Sequence, residues 1–203
     1  RLGEVYGYKT DGFYTADDFT FDAEKGTYAL KAGVNDCSSL IGGKVYPGSI
    51  KLKANEDGEY KKERLGNTVP TVSGGFGLNA TYKGFDMSMF FNFMYDFDVL
   101  NANKIMLTTW ADNKENNFLM DIASDKRWRN FDDMGNEIRY SPEVLAEFNK
   151  NATMWNPTSI GRPICMSYAV EDGSFLRLNS ATLGYTLPSV WTKKVGLSKV
   201  RFY

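Results

Sequence analysis

Two runs of eleven residues, each alternating strictly between two kinds of side chain and joined by a two-residue turn, constrain this chain more than any other feature. In the first run Val72, Gly74, Phe76, Leu78, Ala80 and Tyr82 fall on one side, and Ser73, Gly75, Gly77, Asn79 and Thr81 on the other. After Lys83-Gly84 the second run sets Phe85, Met87, Met89, Phe91, Phe93 and Tyr95 against Asp86, Ser88, Phe90, Asn92, Met94 and Asp96. Side chains of a strand repeat with period two, so each set is one surface. A two-residue turn pairs Tyr82 with Phe85, Ala80 with Met87, Leu78 with Met89 and Phe76 with Phe91, which joins the apolar sets into one face without a charge. Arms of about eleven residues tilted by roughly 45° match the hydrocarbon band of an outer membrane. A soluble sandwich hairpin would also bury one face, but its strands are usually about five or six residues long. The expected fold is all-β, a fragment of a large antiparallel transmembrane β-barrel with long extracellular loops. Phe76, Leu78, Met87, Met89 and Phe91 are the expected lipid-facing residues.

Composition narrows the function. The chain contains no histidine, which removes the commonest general base and the usual zinc ligand, as well as the Ser-His and Cys-His nucleophile pairings. No persuasive nucleophile–base pair is present, so no enzyme, cofactor or metal is expected. The loop acids Asp11, Asp17, Asp18 and Asp22 could form a carboxylate pair, yet clustered loop acids are more often solvated or substrate-binding. With 24 basic and 25 acidic residues the net charge is −1; no basic block stands out, and nucleic acid is not an expected partner. No apolar run approaches the roughly 20 residues of a membrane helix, but alternating strands escape that test. Aromatics at 15% suit barrel girdles. Whether Cys37 and Cys165 pair is left open, because geometry decides.

Four segments follow. Residues 1–71 are rich in Gly, Tyr and Asp, with strand-like pieces at Glu4–Tyr8 and Ser49–Lys53. Residues 72–95 are the hairpin. Residues 96–173 show no sustained alternation, only a helical patch that opens at Ser141-Pro142 and places Val144, Leu145 and Phe148 on one side. Residues 174–203 return to strands, with Ala181, Leu183 and Tyr185 opposite Ser180, Thr182 and Gly184. Extrapolated along that strand, Arg177 falls on the apolar face, where an arginine at mid-bilayer costs about 2–4 kcal/mol unless it lies above the membrane or past a bulge. Barrel turns are short on the periplasmic side and long outside, which makes 1–71 and 96–173 outer loop regions. The chain starts at Arg1 without a methionine and stops at Tyr203 inside a strand-like stretch, so one piece of a larger barrel of about 22 strands is expected.

Several stretches resemble the C-terminal barrel segment of SusC/RagA-type TonB-dependent outer-membrane transporters of Bacteroidetes. Val5–Tyr14 reads VYGYKTDGFY, close to the family's FYGYKTDGIF, and Pro47–Gly58 reads PGSIKLKANEDG, close to PGDIKYKD followed by NGDG. Val72–Asn92 reads VSGGFGLNATYKGFDMSMFFN, and Glu171–Pro188 reads EDGSFLRLNSATLGYTLP. Arg127-Trp128 with the later Pro163 also fits. The acidic stretch is a residue shorter than the family's and lacks its first aspartate, so a solvated turn is expected there in preference to a calcium loop.

What the resemblance implies is import of a large nutrient, glycan or peptide, across the cell outer membrane. A SusD-like surface lipoprotein would cap the barrel, and TonB would act through a plug domain absent from this chain. A surface adhesin or purely structural barrel is the alternative. Outer-membrane lipid is the implied solvent. Tyr6, Tyr8, Asp11, Trp110, Trp128 and Trp155 are the candidates for substrate or partner binding, with the tryptophans favoured as interface anchors.

Overall fold

A computed structural model describes residues 2–109, 117–123 and 125–203; Trp110 lies outside them. The strands in chain order are β1 (Glu4–Gly7), β2 (Thr10–Phe13), β3 (Phe19–Asp22), β4 (Thr27–Leu30), β5 (Ile50–Leu52), β6 (Glu63–Asn67), β7 (Val72–Tyr82), β8 (Phe85–Tyr95), β9 (Asp98–Leu100), β10 (Val170–Asp172), β11 (Phe175–Thr186) and β12 (Arg201–Phe202). The α-helices are short: α1 (Ser38–Ile41), α2 (Ala102–Met106), α3 (Pro142–Phe148) and α4 (Ser189–Thr192). None is long and apolar enough to cross a membrane, a statement that leaves crossing by strands untouched. The all-β expectation holds. The chain divides into two units, residues 1–66 with 100–171, and residues 67–99 with 172–203.

The second unit is a four-stranded antiparallel sheet in the order β12-β11-β8-β7. β7 and β8 pair without interruption from Val72 opposite Tyr95 to Tyr82 opposite Phe85. Lys83 and Gly84 both have positive φ, 46° and 90°, the backbone of a hairpin turn whose twist matches that of its strands. Glycine is required at the second position for another reason too. A Cβ there would lie 2.9 Å from the Thr186 carbonyl oxygen, and the Thr186 amide donates to the Gly84 carbonyl at 2.7 Å.

β11 pairs β8 from Tyr185 opposite Phe85 down to Ser180 opposite Phe90, after which Leu178 lies opposite Phe91. Asn179 is the extra residue of a β-bulge, which shifts the alternation by one. The extrapolation of Arg177 to the apolar face is corrected by this shift. Arg177 lies opposite Asn92 on the polar face, while Leu176 and Leu178 lie opposite Phe93 and Phe91 on the apolar one.

In the first unit, what reads in sequence as two loop regions packs into one body. β1 pairs β6, β2 pairs β5 and β3 pairs β4, each as a two-stranded sheet. Tyr14, Phe19, Cys37, Ile41, Ile50 and Leu52 from one side of the hairpin share a core with Ile105, Trp155, Ile160, Met166 and Ala169 from the other. A smaller cluster holds Trp128, Ile138 and Leu145. Leu145 is α3's buried contact, whereas Val144 is exposed. The expected cap at Ser141 is half right: Pro142 occupies the first helical turn, but the Ser141 side chain makes no capping bond. Both cysteines are free thiols. Cys37 is buried and its Sγ donates to the Ile50 carbonyl; burial pushes its thiol pKa up, which makes it inert.

Gly48 locks the two halves of this unit together. Its amide donates to the Tyr14 carbonyl at 2.7 Å and its carbonyl accepts from the Asn156 amide at 2.8 Å. With φ at +91°, a Cβ here would fall 2.2 Å from the Trp128 ring. Gly48→Ala combines a strained backbone with a steric clash, and a loss of about 1–3 kcal/mol is expected. Thermal melting of the full-length protein checks this, and an unchanged midpoint would refute it.

Candidate functional site

Two surfaces stand out, one on each unit. The first is the apolar face of the four-stranded sheet. Phe76, Leu78, Met87, Met89 and Phe91 share it with Phe85, Phe93, Leu176, Leu178, Leu183 and Tyr185, and no charged residue of β7, β8 or β11 joins them. Phe76 stacks on Phe91 with ring centroids 5.0 Å apart, and Phe85 lies 4.4 Å from Tyr185. These contacts run across strands within the face. None of these side chains belongs to a buried core: Phe76 is 43% exposed, Leu78 51% and Leu183 66%.

The opposite face is mixed. Ser88, Asn79 and Asn92 lie on it, and Asp86 pairs with Arg201 at the turn end. Its one large intruder in mid-strand is Phe90. A Cβ on Gly75 would lie 3.0 Å from the Phe90 Cζ atom, and one on Gly77 3.7 Å from its Cδ2. The small residues of β7 therefore make room for a ring on β8. Arg177 sits over the Phe175 ring at 4.9 Å.

The second surface is a groove on the first unit, made of two stretches that share lining residues. One stretch of about 460 Å³ is lined by Arg127, Trp128, Arg129, Asn130, Phe131, Asp132, Glu137, Arg139, Asn156, Pro157 and Thr158 together with Tyr46. A neighbouring stretch of about 350 Å³ shares Tyr46, Asn130 and Arg139 and adds Tyr28, Tyr140 and Lys44. Backbone bonds build the wall: the Trp128 amide donates to the Met154 carbonyl at 2.8 Å. The Asn149 side chain clamps residue 129, accepting from its amide at 2.7 Å and donating to its carbonyl at 2.9 Å.

Charges in the groove are unevenly matched. Arg129 pairs with Asp133 at 2.8 Å and Arg139 pairs with Glu137. Asp132 is engaged by its own turn, accepting from the Met134 and Asn136 amides at 2.9 and 2.8 Å and from the Asn136 side chain at 2.9 Å. The Asn136 side-chain bond, with help from the backbone amides, holds its carboxyl below the usual range. Arg127 has no carboxylate partner among the described residues; its Nη1 donates to the Ile122 carbonyl at 3.3 Å. Partial burial, reinforced by the neighbouring Arg129 charge, lowers the pKa of its guanidinium.

The residues expected to bind substrate or partner are not gathered into one site. Trp155 is 3% exposed, edge-on to Tyr168 at 4.9 Å within the larger core. Trp128 is also 3% exposed, packs against Phe13 at 5.6 Å, and contributes only an edge to the groove. Both are core residues here, not projecting anchors. Tyr8 is half-buried against the larger core. Tyr6 is exposed and donates to the Glu4 carboxylate at 3.0 Å. Asp11 is exposed beside a polar pocket of about 310 Å³ that also holds Lys51 and Lys53. In the acidic turn, Asn55 accepts from the Glu59 amide at 2.7 Å, while Glu56 and Asp57 are exposed. The groove residues Tyr46, Phe131 and Arg139 were missed in the sequence, since no local pattern links positions 46, 131 and 139.

No family model matches the chain. All 203 residues align at 29% identity with TonB-dependent receptor P3 of Formosa agariphila, and the chain spans 17% of that receptor's length. Two solved structures of the RagAB peptide importer superpose with a TM-score of 0.45 each. The closed-closed state covers 97% of this chain and 18% of that one at 18% identity; the open-open state covers 99% and 19% at 17% identity. The similarity to a TonB-dependent receptor extends over all 203 residues. The name of the sequence relative is that of a receptor, not of an enzyme.

The packing of Phe90 into the Gly75–Gly77 gap yields a specific expectation. Gly75→Val should drive the ring off the sheet and destabilise the full-length protein by about 1–3 kcal/mol. Adding Phe90→Ala should recover part of that loss. Additive effects in the double-mutant cycle would show that the two positions do not share this gap.

Proposed function

We propose that this chain is a stretch of outer-membrane β-barrel in a TonB-dependent importer of a large nutrient, glycan or peptide. The observation that carries the reading is the exposed apolar face of a sheet whose strands are long enough to span a bilayer and which has no core of its own. In water such a face is an aggregation surface; in lipid it is the solvated side of a barrel wall. Phe76, Leu78, Met87, Met89 and Phe91 then face lipid, and the Ser, Asn and Gly face turns to the lumen. The full-length alignment with a TonB-dependent receptor supports import over an adhesin or purely structural barrel. The first unit then stands on the cell-surface side, where a SusD-like lipoprotein caps the mouth, and TonB engages a plug domain.

Two tests address separate parts of this reading. Leu178→Arg places a charge on the lipid side and should impair assembly of the full-length protein at a cost of about 2–4 kcal/mol near the midplane. Arg177→Gln, one residue away but on the other face, should assemble normally. Membrane fractionation and heat-modifiable migration on gels report both, and equal behaviour of the two variants would refute the assignment of faces. For the partner, the full-length protein should co-purify with a tagged SusD-like lipoprotein. Uptake that persists without the lipoprotein, together with failure to co-purify, would replace the capped importer by an uncapped channel.

A further inference from the structure

We infer that the groove on the first unit is a peptide subsite in which the Arg127 guanidinium holds a carboxylate of the peptide. The inference deepens the import reading and rests on it for its place in uptake. Three observations lead to it.

The first is charge. Lys44, Arg127, Arg129 and Arg139 line the two stretches of the groove, against Asp132 and Glu137. Glu137 answers Arg139, Asp133 answers Arg129, and Asp132 is engaged by its own turn. Arg127 is half-buried, and among the described residues its hydrogen-bond partner is a backbone carbonyl. A partly desolvated guanidinium without a counter-charge is a ready receptor for an oxyanion, and its planar fork suits a carboxylate.

The second is shape. The two stretches share Tyr46, Asn130 and Arg139 in their linings, and the one beside Arg127, about 460 Å³, has room for a short peptide's carboxyl end.

The third is the state of the polar groups along the walls, which discriminates between ligand classes. A sugar chain is read through many hydroxyls and needs unengaged donors and acceptors. Here the Tyr46 hydroxyl is bonded to Thr158 Oγ1 at 3.0 Å, and the Tyr28 hydroxyl donates to the Arg139 carbonyl at 2.6 Å. The Asn156 side-chain oxygen accepts from both the amide and the hydroxyl of Thr158. With their hydroxyls engaged, Tyr28 and Tyr46 offer mainly ring faces and edges, and Phe131 and Tyr140 add exposed aromatic surface. Aromatic wall surface beside two cations without an ion pair among the described residues, Arg127 and Lys44, fits a peptide carrying apolar side chains and a free carboxylate better than a neutral polyhydroxylated chain.

The test uses the purified full-length protein in detergent micelles, with calorimetric titration of three probes: the tripeptide alanyl-leucyl-phenylalanine, its C-terminal amide, and trigalacturonate. The free acid should bind at least about tenfold more tightly than the amide, the worth of one charge-assisted contact. Arg127→Gln should bring the acid down to the level of the amide and leave the amide unchanged. Equal affinity for acid and amide, or an Arg127→Gln variant that binds the acid as before, would overturn the carboxylate subsite. Tighter binding of trigalacturonate than of the peptide would overturn the ligand class. Should Arg127→Gln fail to assemble, the acid–amide comparison on the unaltered protein decides alone. Cellular uptake separates the two readings: binding without uptake leaves the subsite standing and sinks import, whereas uptake without binding does the reverse.

Discussion

A sheet with one continuous apolar face needs something apolar against that face, and the sheet of this chain has no core of its own. Every buried apolar side chain among the described residues belongs to the first unit. The sheet unit exposes Phe76, Leu78, Phe85, Leu176, Leu178 and Leu183 together. Apolar area left in water costs roughly 25 cal/mol per Å², so a face of this extent is untenable there as a free surface. Hydrocarbon solvates it without any packing partner, provided the backbone bonds of the strands are satisfied by neighbouring strands, as they are on both sides of β8.

Keeping that face free of charge over twelve residues of β11 takes more than alternation. The bulge at Asn179 lets Arg177 follow a run of alternating residues and still land opposite Asn92, and brings Leu176 and Leu178 into line with Phe93 and Phe91. On the other side of the sheet, Gly75 and Gly77 leave the space that Phe90 fills. The glycines of β7 thus serve packing across the strand pair, and the polar face is less uniformly polar than its composition suggests.

The first unit obeys the opposite rule. Its strands are three to five residues long and pair only two by two, so no single sheet can organise it. Two chain segments separated by the hairpin supply the interior together, and Gly48, bonded to Tyr14 on one side and Asn156 on the other, sits where they meet. A body assembled from irregular segments leaves clefts between them, and the groove beside Arg127 is one. The Tyr28 and Tyr46 hydroxyls and the Asn156 side-chain oxygen in its walls are held by internal hydrogen bonds.

The hairpin was legible in the sequence to the residue, because a period of two and a two-residue turn are local: the chain carries both in consecutive positions, and the structure pairs Val72 with Tyr95 and Tyr82 with Phe85 as that pattern requires. The similarity to a TonB-dependent receptor was legible for a related reason, since the motifs that carry it are contiguous strings. Three things were decided only by tertiary structure. The side of Arg177 depended on a bulge, set by how β11 lies on β8 and not by its own alternation. The role of Trp128 and Trp155 depended on burial; an aromatic in a loop-like stretch reads the same whether it projects or packs. The groove depended on residues 46, 127, 131 and 139 coming together, and proximity across such distances arises from the shared core of two segments, for which no periodicity along the chain exists.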